Sequence, residues 1–427
     1  MRVRAGLVLV AALGLLLGAG CGGSTSEAFR IGVLSDCHGP FSTLHEVIVA
    51  SAELPLLGRG GELRGKQPSA GVGGAEIAGR PVELEIGCVA GNDDVIPEAR
   101  RLVEEEGAAA IVGPLDPQQG MVLREYARRR PETAFVIQPS GAPELTLTEP
   151  APNVFRFASD AAQGVAGAGT YAYRRLGWRT AAIVADDITY SWAGAAGFVA
   201  EFCSLGGRIV DRTWIPLGSD PAAIVPRIPD ADGVYLGTAL SPVGGFVRRY
   251  AALHPDLSRR LISNATLLYD PTVLAQAKGV VVAGSLPFEP TAAETDYASS
   301  FEKAFPAIPA AVAVGSTTIP YRDGVEALLE AFARSGGVTG PPLLAALTQL
   351  ELRSPTGRIQ LDRNRQAVGP NYLGRVATDS KGKPTIRTVR VVPNVEQTFG
   401  GYFKPSDPPP TRHSPACKAG NPPPWAR

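Results

Sequence analysis

Neither sign of charge is in excess in this chain. It carries 41 lysines and arginines against 41 aspartates and glutamates in 427 residues, so it lacks the basic face that nucleic-acid binders present. Histidine is scarce, limited to His38, His45, His254 and His413, and no G-x-S-x-G elbow, H-E-x-x-H pair or phosphate-binding loop accompanies it. The neighbours Cys37 and His38 point apart on a turn and lack the paired spacing that zinc prefers. The Gly-rich stretch 58–79 holds no G-x-G-x-x-G after a strand, which removes the dinucleotide fingerprint. The chain is therefore expected to be no enzyme and to use no metal or cofactor. After the first 20 residues no apolar run is long enough to span a bilayer.

The N-terminus is informative. Arg2 and Arg4 precede an apolar run over residues 5–20 that stops at Cys21 and is followed by Gly22-Gly-Ser-Thr-Ser26. A basic start, an apolar core and small residues before a cleavage point describe an export signal. A cysteine at that point resembles the lipobox of bacterial lipoproteins, with Leu17 one place further from it than usual. The resemblance implies a signal peptide over 1–20, diacylation of Cys21, and a flexible tether over 21–28. Four of the five cysteines then remain for an oxidising compartment. Cys37 and Cys88 follow strands at 30–35 and 82–86 that would be neighbours in one sheet, which puts their α-carbons within bonding range. Cys203 either pairs with Cys417 or stays a buried thiol on a helix.

From Phe29 onward short apolar strands alternate with segments of helical period. Residues 30–35, 82–87, 108–113 and 134–138 read as strands, the last two as the continuous apolar runs of a parallel sheet covered on both faces. Leu44, Val47, Ile48 and Ser51 follow helical spacing between them. After Pro150-Ala-Pro152 the cycle repeats, with strands at 180–185, 208–213, 233–237, 260–264 and 280–283 and a helix over 191–205. Two later helices carry Tyr297, Phe301 and Phe305, then Val325, Leu328, Leu329 and Phe332. Residues 357–361 and 372–376 read as a hairpin-like strand pair, and the proline clusters beyond Lys404 allow neither helix nor sheet. The pattern predicts an α/β chain of two doubly wound parallel-sheet lobes joined through a multi-crossing hinge. A ligand cleft between the lobes follows, because open parallel sheets bind ligands at the carboxyl ends of their strands.

Residues 29–392 resemble the type 1 periplasmic binding proteins, in particular the branched-chain amino acid (Leu/Ile/Val) class of ABC-transporter substrate-binding proteins. Five features carry this: Gly39-Pro40-Phe41, Ala99-Arg-Arg-Leu-Val103 with Ala110-Ile-Val-Gly-Pro114, Asp186-Asp187 with Tyr190, Tyr321-Arg-Asp-Gly-Val325, and Gly357-Arg-Ile-Gln-Leu-Asp362. The resemblance implies lobe one over 29–155 and 286–345, lobe two over 156–285 and 346–392, and a Pro-rich tail over 393–427. It implies a monomeric extracytoplasmic lipoprotein, anchored by lipid at the outer face of the cytoplasmic membrane. Such a protein binds a small polar metabolite, an amino acid or related compound, and delivers it to membrane permease subunits. A ligand sensor or an envelope-assembly lipoprotein on the same fold is the alternative reading.

Departures from that pattern bear on the ligand. Leu115-Asp116-Pro117 stands where the family offers a hydroxyl for a carboxylate; an aspartate repels a carboxylate and a proline removes one backbone donor. The following loop, from Gln138 to Thr146, lacks the central threonine, and Asp362-Arg-Asn-Arg365 lacks the glycine. Leucine, isoleucine or valine is therefore not carried over as the ligand. The expected ligand contacts are Phe41, Asp116, Ser140 and Gly141 from lobe one, and Tyr190, Trp192, Thr238 and Tyr269 from lobe two. The aromatic rings would cover an apolar or cationic face, Asp116 would pair an amine or accept from hydroxyls, and Ser140 would donate and accept.

Overall fold

Apolar strands that alternate with amphipathic helices can bury both sheet faces only in layers, and two such layered bodies form. The computed structural model describes residues 28–427 except Pro40 and Asp270. The expected signal peptide, Cys21 and most of the tether lie outside the described residues.

In the first lobe the strands Arg80–Val89, Phe29–Asp36, Ala110–Val112, Ala134–Val136 and Val154–Phe155 run parallel in that spatial order. Ala75–Ile77 pairs antiparallel at the Arg80–Val89 edge. The Gly-rich stretch 58–79 thus contributes an edge strand, and Val72 and Ala75 are buried. Ser35 lies opposite Cys88 in the register, and the disulfide Cys37–Cys88 closes just beyond it with α-carbons 5.4 Å apart. Helices Ile319–Arg334 and Pro341–Thr348 return to this lobe and bury Tyr321, Val325, Leu328 and Phe332 against Phe29, Ile31 and Val33. Leu347, Leu350 and Leu352 belong to this same core rather than to the second lobe. The hairpin Leu352–Ser354 and Gly357–Leu361 packs Leu352 against this core and pairs through Gln360 and Leu361 with the second lobe's strand Ala367–Thr378, so it spans the two lobes.

The second lobe orders its parallel strands Arg208–Ile215, Thr180–Asp186, Gly233–Gly237, Leu261–Asn264 and Val281–Gly284. Two long strands, Ala367–Thr378 and Pro384–Val395, extend this sheet antiparallel. The expected pairing of Gly357–Leu361 with the following strand forms at residues 367–368, while residues 372–376 of that strand pair with 384–395 and with Val281–Gly284. In both lobes the chain adds its second strand on one side of the first and its third on the other. This places a switch point beside Asp36 in one lobe and Asp186 in the other, and a cleft opens where the two face each other.

Where the crossings between lobes meet, the polar groups are fully buried. Arg156 has no exposure; it donates to the carbonyls of Ser140 and Ala142 at 2.7 Å each, to Gln366 Oε1 at 2.6 Å and to Thr146 Oγ1 at 3.0 Å. Asp160 Oδ2 lies 3.7 Å from the guanidinium. Gln366 in turn donates to Ala158 O and Gln163 Oε1, and Gln397 donates to Asp160 Oδ2 at 3.2 Å. Burial pushes the Asp160 carboxyl up while Arg156 pulls it down. A buried cation is tolerated here because its donors meet a ring of oxygens.

Candidate functional site

A cavity of about 1000 Å³ lies between the lobes, lined by the loops at the carboxyl ends of both sheets. Phe41, Leu115, Pro139, Phe157, Ile188, Tyr190 and Trp192 give it apolar and aromatic walls. Leu240 and Val312 stand at its rim and are partly exposed.

Lobe one supplies its wall through a tight turn. At Gly113 the backbone takes φ +90°, and a Cβ there would lie 2.3 Å from Leu34 O. Only glycine lets the chain leave its strand so close to the neighbouring one. It leads directly to Leu115 and Asp116. Asp116 lines the cavity, and its Oδ1 accepts from the backbone N–H groups of Gln118 and Gln119 at 2.8 and 3.1 Å. It is the N-cap of the helix Pro117–Ala127, with proline at the favoured first position.

Lobe two supplies Asp186, Asp187 and the helix Thr189–Ser204. Asp186 is buried and holds the opposite loop, its Oδ2 accepting from the backbone N–H groups of Ala239, Leu240 and Ser241. The helix points its N-terminus into the cavity, with Ile188 at the N-cap and no side-chain cap. Ser191 in its first turn is 2% exposed, and its Oγ has no hydrogen-bond partner among the described residues. Tyr235, fully buried in the strand Gly233–Gly237, also lines the cavity, stacks on Phe198, and has an unpartnered hydroxyl. Burial, reinforced by the nearby Tyr190, holds that phenol well above its ordinary pKa, so it is neutral and able to donate.

The expected contacts divide. Phe41, Asp116, Tyr190 and Trp192 are brought together on the cavity surface. Ser140 and Gly141 stand behind it. Ser140 is buried with its Oγ against the helix at Gly120, where a Cβ would come within 2.4 Å of that oxygen. Gly141 receives the Tyr190 ring, which would lie 2.6 Å from a Cβ there, and so lets the two lobes touch. Gln118 Nε2 also reaches Thr189 Oγ1 across the gap at 3.4 Å. Thr238 is 1% exposed and bonded to Thr266 Oγ1 at 3.2 Å, beneath the wall made by Gly237 and Ala239. Tyr269 ends the turn Ala265–Tyr269, and its side chain lies outside the described residues. Ser191 and Tyr235 were not among the expected residues. The signal that could have found Tyr235 is a phenol two residues before the end of a switch-point strand.

The charges of the cavity are already matched. Four aspartates and one arginine line it. Asp160 faces Arg156, Asp187 is gripped by Arg412, and Asp323 accepts from Arg322 at 2.8 Å. Asp116 caps its own helix, and Arg358 pairs with Glu351 at 3.0 Å.

Residues 28–383 match the family model described as periplasmic binding protein. No curated protein matches the chain. Among solved structures, an ABC transporter substrate-binding protein from Sphaerobacter thermophilus is 25% identical, with a TM-score of 0.75 over 87% of this chain and 99% of its own. A solute binding protein of an ABC transporter from Rhodopseudomonas palustris BisB5, in complex with 3,4-dihydroxy benzoic acid, is 21% identical, with a TM-score of 0.72 over 88% of this chain and 99% of its own. A leucine binding protein from Thermotoga maritima MSB8 is 16% identical, with a TM-score of 0.67 over 86% of this chain and 99% of its own.

Proposed function

The chain belongs to the periplasmic binding protein family, and from that premise we propose that it is the extracytoplasmic binding component of an ABC importer whose ligand is an aromatic carboxylate. One observation carries the ligand class: the cavity is walled by aromatic and aliphatic side chains, and its aspartates are engaged by arginines or by a helix. An amino acid needs a free anion for its ammonium group, and burying that charge without one costs several kcal/mol, on the order of the penalty for any unpaired buried ion.

A carboxylate has a place to go. The N-terminus of a helix carries partial positive charge and outward N–H groups, and here it opens into the cavity beside the Ser191 hydroxyl. A ring lying against Phe41, Tyr190 and Trp192 would present a carboxylate to that end and a hydroxyl substituent to Tyr235. The bound protein would pass its ligand to membrane permease subunits, with Cys21 as the site of the lipid that keeps it at the outer face of the membrane. The benzoic-acid complex of the Rhodopseudomonas relative supports the ligand size and class.

A ligand that binds only the folded protein raises its melting temperature by mass action. In a thermal-shift comparison of 4-hydroxybenzoate, 3,4-dihydroxybenzoate, 4-hydroxybenzamide and leucine, the two acids are expected to give the largest shifts. A larger shift with leucine, or equal shifts with the acid and its amide, overturns the assignment.

A further inference from the structure

The C-terminal segment beyond residue 395 lies past the end of the family match at residue 383, and it is built into lobe two. Phe399, Phe403 and Trp425 are buried in a cluster with Leu147, Ala196 and Ala200. The Trp425 indole N–H donates to Glu201 Oε1 at 2.6 Å. Glu201 is a fully buried carboxylate that also accepts from Gly167 N at 2.5 Å and from Thr170 N at 2.9 Å. Cys417 is joined to Cys203 on the helix Thr189–Ser204, and Gly420 N donates to Ser204 O. The segment is thus fixed to the very helix whose other end opens into the cavity.

From that anchor the chain runs back to the rim of the cleft. Trp214 Nε1 donates to Arg412 O at 3.2 Å, fixing the backbone there. The Arg412 guanidinium grips both oxygens of Asp187, with Nε 2.7 Å from Oδ1, and lies 5.7 Å from the centre of the Trp192 ring. Asp187 Oδ1 accepts from Trp192 Nε1 at 3.2 Å, and Trp214 meets the Trp192 ring edge-on at 6.4 Å. Trp192 is therefore held by an acid, a cation and a second indole, two of which the C-terminal segment supports. Its remaining face is cavity wall.

We propose that residues 396–427 form an intramolecular brace that completes the ligand cleft, with Arg412 as a positioning residue for Trp192. The proposal rests on the reading of the inter-lobe cavity as the ligand site. Arg412 is absent from the cavity lining, so it acts through the indole. It sets the indole's orientation by neutralising Asp187 and stacking behind the ring, and so tunes affinity and selectivity for a flat ligand. A two-pronged guanidinium does this where an ammonium would supply only a point charge.

The test uses the mature full-length protein labelled with 5-fluorotryptophan, whose four indoles are Trp178, Trp192, Trp214 and Trp425. Trp192→Phe assigns its fluorine resonance, and Trp178, packed at 2% exposure at the amino end of the strand Thr180–Asp186, away from the cleft, serves as an internal control. In Arg412→Ala the Trp192 resonance is expected to shift while that of Trp178 stays in place. Affinity for 4-hydroxybenzoate should fall about two- to fivefold, the scale of a single exposed cation–ring contact. Arg412→Lys should fall between. A Trp192 resonance that does not move in Arg412→Ala overturns the brace, and so does a moved resonance with unchanged affinity. Should 4-hydroxybenzoate fail to bind the unsubstituted protein, the ligand assignment falls while the fluorine readout still decides whether Arg412 holds Trp192.

Discussion

The hinge and the walls of the cleft are made of opposite materials. At the hinge, Arg156, Asp160, Gln163, Gln366 and Gln397 are buried and bonded to one another or to backbone carbonyls across the chain crossings. The walls beside it carry aromatic and aliphatic side chains between aspartates that are already matched, and the buried hydroxyls left without partners there, among the described residues, are those of Ser191 and Tyr235. Charge in this molecule registers one lobe against the other. On the proposed reading, recognition is left to shape, ring faces and a helix end.

Substitutions can break this comparison by moving the wrong property. The largest effect is expected from Arg156→Met, which strands the oxygens of Ser140, Ala142 and Gln366 and leaves Asp160 uncompensated. Removing one partner of a buried ion pair costs about 3–5 kcal/mol, and urea denaturation should report a loss of that order. A loss below about 1 kcal/mol would mean that the network does not hold the hinge.

Glu53 sharpens the contrast, because it is a buried acid whose two oxygens have no partner among the described residues. Burial pushes its carboxyl from 4.5 up to about 8. The folded protein therefore holds this proton where the unfolded chain has released it, and stability falls as pH rises from about 4.5 to about 8, by at most about 1.4 kcal/mol per unit. Glu53→Gln should flatten the stability profile in that window. An unchanged slope contradicts the assignment.

On the wall the balance reverses. Ser191→Ala removes an unpartnered hydroxyl, so stability should hold within about 0.5 kcal/mol. Affinity for 4-hydroxybenzoate should drop about tenfold, the loss of one hydrogen bond to a charged group, as read by calorimetric titration. A variant that loses stability and keeps its affinity would place Ser191 with the hinge.

The smallest effect belongs to Asp116→Ala. Losing the cap on Pro117–Ala127 should cost about 1 kcal/mol in stability and change affinity less than about twofold, on the scale of a weak contact. A tenfold loss of affinity would return Asp116 to the ligand.

Much of the fold was legible because apolar runs such as Ala110–Val112 and Thr180–Asp186 have no other stable setting than a covered parallel sheet. The strand Pro384–Val395 was not, since its prolines sit at either end of a run that alternates with arginines and reads as surface. Phe41, Tyr190 and Trp192 could be placed on the cleft because loops at strand ends must face it. Tyr235 was less legible, because apart from its place two residues before the strand end it resembles core. Of the C-terminal brace, only the pairing of Cys417 with Cys203 was open to sequence reading. The Trp425–Glu201 contact joins residues 224 apart, and Glu201 is embedded in the apolar run Phe198-Val-Ala-Glu-Phe202.

The claim that lobe two's helix end, and not an aspartate of lobe one, receives the ligand is tested most directly by a crystal structure of the 4-hydroxybenzoate complex. The account predicts the carboxylate within about 3 Å of Ser191 Oγ and the ring against Trp192. A carboxylate seated on the Ser140–Gly141 loop, with Ser191 untouched, would contradict it.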